Sequence, residues 1–449
     1  MKVSVIGLGK LGACYAAFCA ERGHDVIGVD VNKKNVDAIN RGEAPVEETD
    51  LARYVERNKK RLRATLDIEK AVRESDISLI VVPTPSNKDG SFSVDFVTSA
   101  CKSIGKAIAK KKSYHLVTLV STVLPGDSRE QIIPALERAS GKKIGEQFGY
   151  VYAPSLIAIG DILHNLEEPD FLFLGASDEK ANHVMTRFYE TLYAAREPEH
   201  MSIESAELAK ISLNAYVTMK ITFANVLGSL SERIPNADVD EITTAIGKDK
   251  RVGRHYFKSG LGYGGPCFPR DNFAFAYTAK KRGLRAPVAL AVHATNKEIP
   301  LQTATFLDQI MKKAGATRIG FLGVSYKPKT PYTEESQALQ IAKIMRKKGY
   351  AIAIYEPLNL NEAKSIFATT AAYASSMKEL VRMSDVLFVS NPDGLFKEIP
   401  KVIGTQKRII VDPWGMFEKE SLRKNISYVP IGRGSLGKAR LTATARKKR

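Results

Sequence analysis

Cysteine is scarce in this chain, with four (Cys14, Cys19, Cys101 and Cys267) among 449 residues. That is too few for a disulfide framework. No two of them form a Cys-x-x-Cys pair, so no metal site is expected. No apolar run approaches the roughly 20 residues that span a bilayer. The opening Met1-Lys2-Val3-Ser4-Val5-Ile6-Gly7 leads directly into a strand rather than into a secretory leader. Together these absences point to a reducing, cytoplasmic setting with no membrane contact. Acidic residues are also short, 49 against 67 Lys and Arg, which leaves a formal charge of +18. Such a surplus favours anionic partners or is simply a solvated surface. The basic runs Lys110-Lys111-Lys112 and Arg446-Lys447-Lys448-Arg449 carry no interleaved aromatics, which disfavours single-stranded nucleic acid.

What the chain does have is length and apolar content. Its 449 residues exceed one ordinary core, and 44% are hydrophobic. Apolar runs at Val3–Ile6, Asp25–Asp30, Ile77–Val82, Tyr114–Val120, Gly149–Tyr152 and Phe171–Leu174 have parallel-strand character. Helical stretches separate them, so a parallel sheet covered on both faces is expected. From Glu204 to about Leu230 the chain reads as one long proline-free helix, with more helix at Val239–Ile246 and Asp271–Arg282. Alternation returns with strands at Arg318–Val324, Ala351–Tyr355, Val386–Ser390 and Arg408–Val411, and a helix at Ser336–Lys348. The expected fold is α/β: two doubly wound domains, Rossmann-like in plan, joined by a long central helix and a helical middle domain. The expected bounds are 1–198, 199–300 and 301–435, followed by a basic, disordered tail at 436–449.

Gly7-Leu8-Gly9-Lys10-Leu11-Gly12 follows the first strand and opens a helix. The first glycine makes the tight turn, the second lets backbone approach a pyrophosphate, and the third allows close helix–strand packing. The free N–H groups of the helix start suit phosphates. Asp30 closes the second strand at the distance expected for a partner of the ribose hydroxyls, which favours NAD over its 2′-phosphorylated form. Lys33 and Lys34 soften that preference, or are a solvated helix start.

Gly260-Leu261-Gly262-Tyr263-Gly264-Gly265-Pro266-Cys267-Phe268-Pro269-Arg270-Asp271 is the most informative segment. Its glycines are expected to let backbone approach a ligand. Cys267 stands at the mouth of a helix, where a thiolate is favoured. A thiolate adds to an aldehyde, and the adduct is able to lose a hydride to NAD. The competing reading is a buried cysteine acting as a small hydrophobe.

With these motifs stand Val82-Pro83-Thr84-Pro85, Ser121-Thr122-Val123-Leu124-Pro125-Gly126, Ala206-Glu207-Leu208-Ala209-Lys210-Ile211-Ser212-Leu213-Asn214 and Tyr326-Lys327-Pro328. In this order they resemble the UDP-glucose/GDP-mannose dehydrogenase family, from residue 1 to about 430. The resemblance implies an NAD-binding domain, a long helix that forms a homodimer and a UDP-binding domain. It also implies oxidation of the C6 alcohol of a UDP-sugar to the uronic acid, in two hydride transfers. Cys267 would then form the thiohemiacetal and thioester, Lys210 and Asn214 would bind the developing oxyanion, and Asp271 would order water. Thr122 would touch the nicotinamide or that water. Gly7, Gly9, Lys10, Leu11, Gly12, Asp30, Lys34, Pro83, Thr84 and Ser121 would hold NAD. Ser155, Leu156, Arg251, Tyr256, Lys258, Gly264 and Lys327 resemble substrate-binding positions, Arg251 reaching a neighbouring subunit's substrate.

Tyr152-Ala153-Pro154-Ser155 departs from the pattern. Ser155 stands where the family has a glutamate that activates water, and Ile159 lacks a carboxylate that some members carry. Glu334-Glu335-Ser336 replaces an Arg-Glu-Ser sequence. Three readings stay open: full oxidation with another group serving hydrolysis, impaired hydrolysis with an aldehyde or redox-neutral product, and a non-catalytic nucleotide-sugar or nucleic-acid binder.

Overall fold

The computed structural model describes residues 1–157, 160–193, 196–358, 360–418 and 421–433. Ile159 and the basic tail lie outside the described residues. The chain folds into two compact units. The first is Met1–Leu213 with Tyr277–Leu284, and the second is Asn214–Ala276 with the residues from Arg285 onward.

The first unit is an eight-stranded sheet: β1 (Lys2–Ile6), β2 (Asp25–Val29), β3 (Leu62–Thr65), β4 (Ile77–Ile80), β5 (His115–Leu119), β6 (Phe148–Tyr152), β7 (Phe173–Ala176) and β8 (Glu199–Met201). Its order is β3-β2-β1-β4-β5-β6-β7-β8. The strands pair in parallel from β3 to β6, and both faces are covered. On β6, Phe148, Tyr150 and Tyr152 enter one apolar layer and Val151 the other, as the period of two dictates. Each such side chain, fully buried, contributes about 1.5–3 kcal/mol. β7 corrects the sequence expectation, because it runs antiparallel to β6. An apolar run reports burial and carries no information about strand direction.

The second unit repeats the plan with β9 (Arg318–Leu322), β10 (Ala351–Tyr355), β11 (Ala372–Tyr373), β12 (Val386–Phe388), β13 (Arg408–Asp412) and β14 (Ile426–Pro430). Its order is β11-β10-β9-β12-β13-β14, and every pairing is parallel. Strands one to six are therefore arranged alike in the two sheets. In each, the order reverses beside the first strand, which opens a crevice at the carboxyl ends.

Between the sheets in sequence come the helices Ile203–Ser231, Val239–Gly247, Phe268–Lys281 and Pro287–Ala314. The sequence expectation missed the last, a 28-residue helix with Pro300 inside it. Proline lacks the N–H that would serve the carbonyl four residues earlier, so it reads as a helix breaker although a long packed helix tolerates it.

Candidate active site

The turn after β1 fits a dinucleotide. Gly7 has φ +100°, and a Cβ on it would lie 2.3 Å from the Val81 carbonyl oxygen. A Cβ on Gly12 would lie 1.9 Å from the Gly7 carbonyl oxygen, whereas one on Gly9 would meet nothing within 4 Å. The first and third glycines are thus required by packing, and the second leaves open the space a pyrophosphate needs. The helix Lys10–Glu21 follows at once, with Gly9 at its N-cap and no side chain to occupy its first amides. Lys10 and Leu11 open that helix; the Leu11 side chain packs on the core, so only its backbone is offered to a ligand.

Asp30 ends β2 half-buried. Its carboxylate accepts Leu8 N–H (2.7 Å), Asn32 N–H (2.7 Å) and the Asn35 amide (3.2 Å). These bonds aim it across the glycine turn. Asn32 caps the next helix by accepting Lys34 N–H, and the exposed Lys33 pairs with Asp37 at 2.7 Å. Lys33 and Lys34 therefore behave as a solvated helix start. The loops after β4 and β5 are tied together: the Ser121 hydroxyl donates to the Val82 carbonyl (2.7 Å) and the Thr84 hydroxyl to the Thr122 carbonyl (2.8 Å). Pro83 is exposed beside the buried Thr84.

Ser155, just past β6, is buried, and the Lys210 ammonium donates to its carbonyl at 2.7 Å. Leu156 packs partly into the adjoining apolar layer. Tyr15 lies beside Ser155, and burial pushes its phenol up to about 12.

In the second unit the cysteine loop is gripped by two asparagines. Asn225, from the long helix, accepts Gly260 N–H (2.8 Å) and donates to the Leu261 carbonyl (3.2 Å). Asn296 accepts Tyr263 N–H and donates to its carbonyl, both at 2.9 Å. Sequence reading missed both residues; a polar residue inside an apolar helix was their only signal. The glycines also serve a purpose other than the one expected. A Cβ on Gly260 would strike the Trp414 ring, one on Gly262 the Asn296 amide, one on Gly264 the Glu335 backbone and one on Gly265 (φ +82°) the Tyr326 ring, all within 2.6 Å. What the loop approaches so closely is the chain itself.

Cys267 is exposed at the start of the helix Phe268–Lys281, whereas Cys14, Cys19 and Cys101 are buried. Burial pushes those three thiols up, so they stay protonated. Asp271 N–H donates to the Cys267 carbonyl at 2.9 Å, which puts the carboxylate one helical turn behind the sulfur. That carboxylate is buried, accepts the Asn214 amide at 2.6 Å and lies 3.5 Å from the Arg270 guanidinium. The next residue, Asn272, is fully buried and ties the same helix to Thr218 (3.0 Å). Lys327 is half-buried in the loop after β9, while Tyr256 and Lys258 are exposed. Tyr256 has a positive φ of 60°. Arg251 is exposed and paired with Asp249 at 2.6 Å. No group of His, Cys, Asp and Glu among the described residues is arranged to hold a metal ion.

Sheet order, glycine turn and the carboxylate that ends β2 define a protein of two nucleotide-binding α/β units, the first built for a dinucleotide. Comparison with known proteins narrows this. The chain belongs to the UDP-glucose/GDP-mannose dehydrogenase family, matching its NAD binding domain at residues 1–193, its central domain at 204–298 and its UDP binding domain at 320–419. It is 31% identical to GDP-mannose 6-dehydrogenase of Pseudomonas aeruginosa over 425 residues, covering 91% of this chain and 96% of that one. It is equally 31% identical to UDP-glucose 6-dehydrogenase of Haloferax volcanii, over 92% of this chain and 96% of the relative. The solved UDP-glucose dehydrogenase of Pyrobaculum islandicum superposes with a TM-score of 0.85 at 28% identity, covering 96% and 97% of the two chains. The cofactor of the first unit is NAD, and the chain is an enzyme of the nucleotide-sugar dehydrogenase class. No helix among the described residues is long and apolar enough to cross a membrane.

Proposed function

We propose that the chain oxidises the C6 alcohol of a UDP-hexose to the carboxylate through covalent intermediates on Cys267. The observation that carries this is the exposed sulfur at a helix start, with the buried Asp271–Asn214 pair one turn behind it. NAD, when bound, supplies the acceptor for a hydride in each of two oxidations. The alcohol first loses a hydride and a proton to give the aldehyde. The Cys267 thiolate adds to the aldehyde carbon, and Lys210 and Asn214 stabilise the resulting oxyanion. Loss of the second hydride leaves a thioester. Water, held by Asp271, attacks the acyl carbon and the sulfur departs as thiolate. Arg251, Tyr256, Lys258, Gly264 and Lys327 hold the nucleotide sugar in this reading. The match to a UDP binding domain favours UDP over GDP.

The test is a panel of UDP- and GDP-sugars with NAD, read by absorbance and product mass. Two NADH per sugar and a uronate are expected. No turnover with any member would remove the reading.

One observation favours a second reading, in which thioester hydrolysis is slow. Ser155 carries no carboxylate, and the Tyr15 phenol facing it is held protonated to about pH 12, so neither is a base near neutrality. One NADH per sugar with release of an aldehyde would select this reading.

The homodimer is inferred from the long helix. Tyr216, Phe223 and Leu230 recur every seven residues and are 52%, 55% and 50% exposed.

A further inference from the structure

Glu207, in the second turn of the long helix Ile203–Ser231, is fully buried. One of its carboxylate oxygens accepts Gly126 N–H at 2.7 Å and the other accepts Ser128 N–H at 3.0 Å. These amides end the loop that begins at Ser121 and carries Thr122. Gly126 has φ +103°, a conformation other residues rarely adopt. Between the two amides, Asp127 folds back to accept Leu124 N–H at 2.9 Å. The start of the loop is held by the Ser121 and Thr84 hydroxyl bonds described above. Its far end is held by Glu207.

We propose that Glu207 is a positioning residue for the dinucleotide: its ionised carboxylate fixes the Ser121–Gly126 loop against the nicotinamide end, and its protonation loosens that loop. The proposal rests on reading Thr122 as a nicotinamide contact.

The charge matters because each oxygen serves a separate N–H. Once protonated, one oxygen turns an O–H toward an N–H, and two donors then face each other. Burial pushes the carboxyl up to about 7; bonds from Ser128 and Gly126 pull it down, and Asp127 pushes it up again. The surrounding charges are Asp127, Glu130 with its partners Lys281 and Arg282, and the Arg129–Glu204 pair. Tyr150 faces the same cluster through its bond to Ser128. The folded value lies above the ordinary carboxyl value of 4.5, so the negative charge is present above about pH 7 and is lost as pH falls through it. The dinucleotide site therefore tightens from pH 6 to 8. Over the window from 4.5 to 7 the same shift lowers fold stability as pH rises.

The experiment is calorimetric titration of the full chain with NAD and with ADP-ribose, which lacks the nicotinamide, between pH 6 and 8.5. NAD affinity is expected to fall about tenfold from pH 8 to 6, as one proton demands. ADP-ribose affinity should stay flat. Glu207→Gln should abolish the NAD limb and bind about tenfold more weakly at pH 8. Asp127→Asn removes a neighbouring negative charge that holds the carboxyl up and should move the limb to lower pH. A limb that persists in Glu207→Gln overturns the proposal. If that variant does not fold, a limb unmoved by Asp127→Asn overturns it. A limb lost in Glu207→Gln but shared by ADP-ribose would instead sink the nicotinamide reading of Thr122.

Discussion

At the residue scale the chemistry converges on Cys267. Three cysteines are sealed in the core with raised thiols, and one is exposed at a helix start. Cys267→Ala should lower net oxidation at least 1000-fold, because the covalent route disappears with the sulfur. NAD affinity, set by the glycine turn and Asp30, should change less than about twofold. Calorimetry and turnover measured on one preparation separate the two quantities. Ser155→Glu tests the missing base: single-turnover decay of the acyl-enzyme should accelerate, and an unchanged rate would place the base elsewhere. Here the sequence was a good guide to residue type and a poor one to purpose. The glycines around Cys267 suggested an approaching ligand, but they make room for Trp414, Tyr326 and the Glu335 backbone. Spacing in sequence does not say which distant segment will arrive.

At the element scale the cysteine loop owes its shape to helices on either side of it in sequence. Asn225 and Asn296 replace strand-like pairing for Gly260, Leu261 and Tyr263. Asn225→Ala leaves a buried N–H and a buried carbonyl without their partner and should cost about 1–3 kcal/mol. Gly265→Ala combines a positive φ with contact on the Tyr326 ring and should cost about as much. Thermal unfolding measures both, and each should lower turnover more than NAD binding. The repeated strand–helix plan was readable from apolar period and turn residues. Pro300 hid the helix Pro287–Ala314, and with it Asn296. The two-residue β11 was too short to leave a pattern. The reversal of β7 was invisible because pairing direction is decided by tertiary neighbours.

At the scale of the whole molecule, the seven-residue recurrence of Tyr216, Phe223 and Leu230 sets a further expectation. Phe223→Glu would put a charge in the middle of that stripe, so sedimentation should show a dimer for the parent chain and a monomer for the variant. A monomeric parent would remove the dimer from the account.

The two sheets share one strand order, so a chain that handles two different nucleotides faces a sorting problem. The answer lies in what stands before the helix that follows each first strand. After β1 the helix begins at once, behind Gly9, with its amides uncapped. After β9 it begins only at Gln337, where the Ser336 hydroxyl already accepts Leu339 N–H, and buried Glu356 takes Val324 N–H and Ser325 N–H at 2.8 and 3.0 Å. The second scaffold ties donors up within the chain at the place where the first presents a glycine turn and a helix start. The glycine turn that follows β1 is not repeated after β9, so excess cofactor should not act as a competitive inhibitor of the sugar.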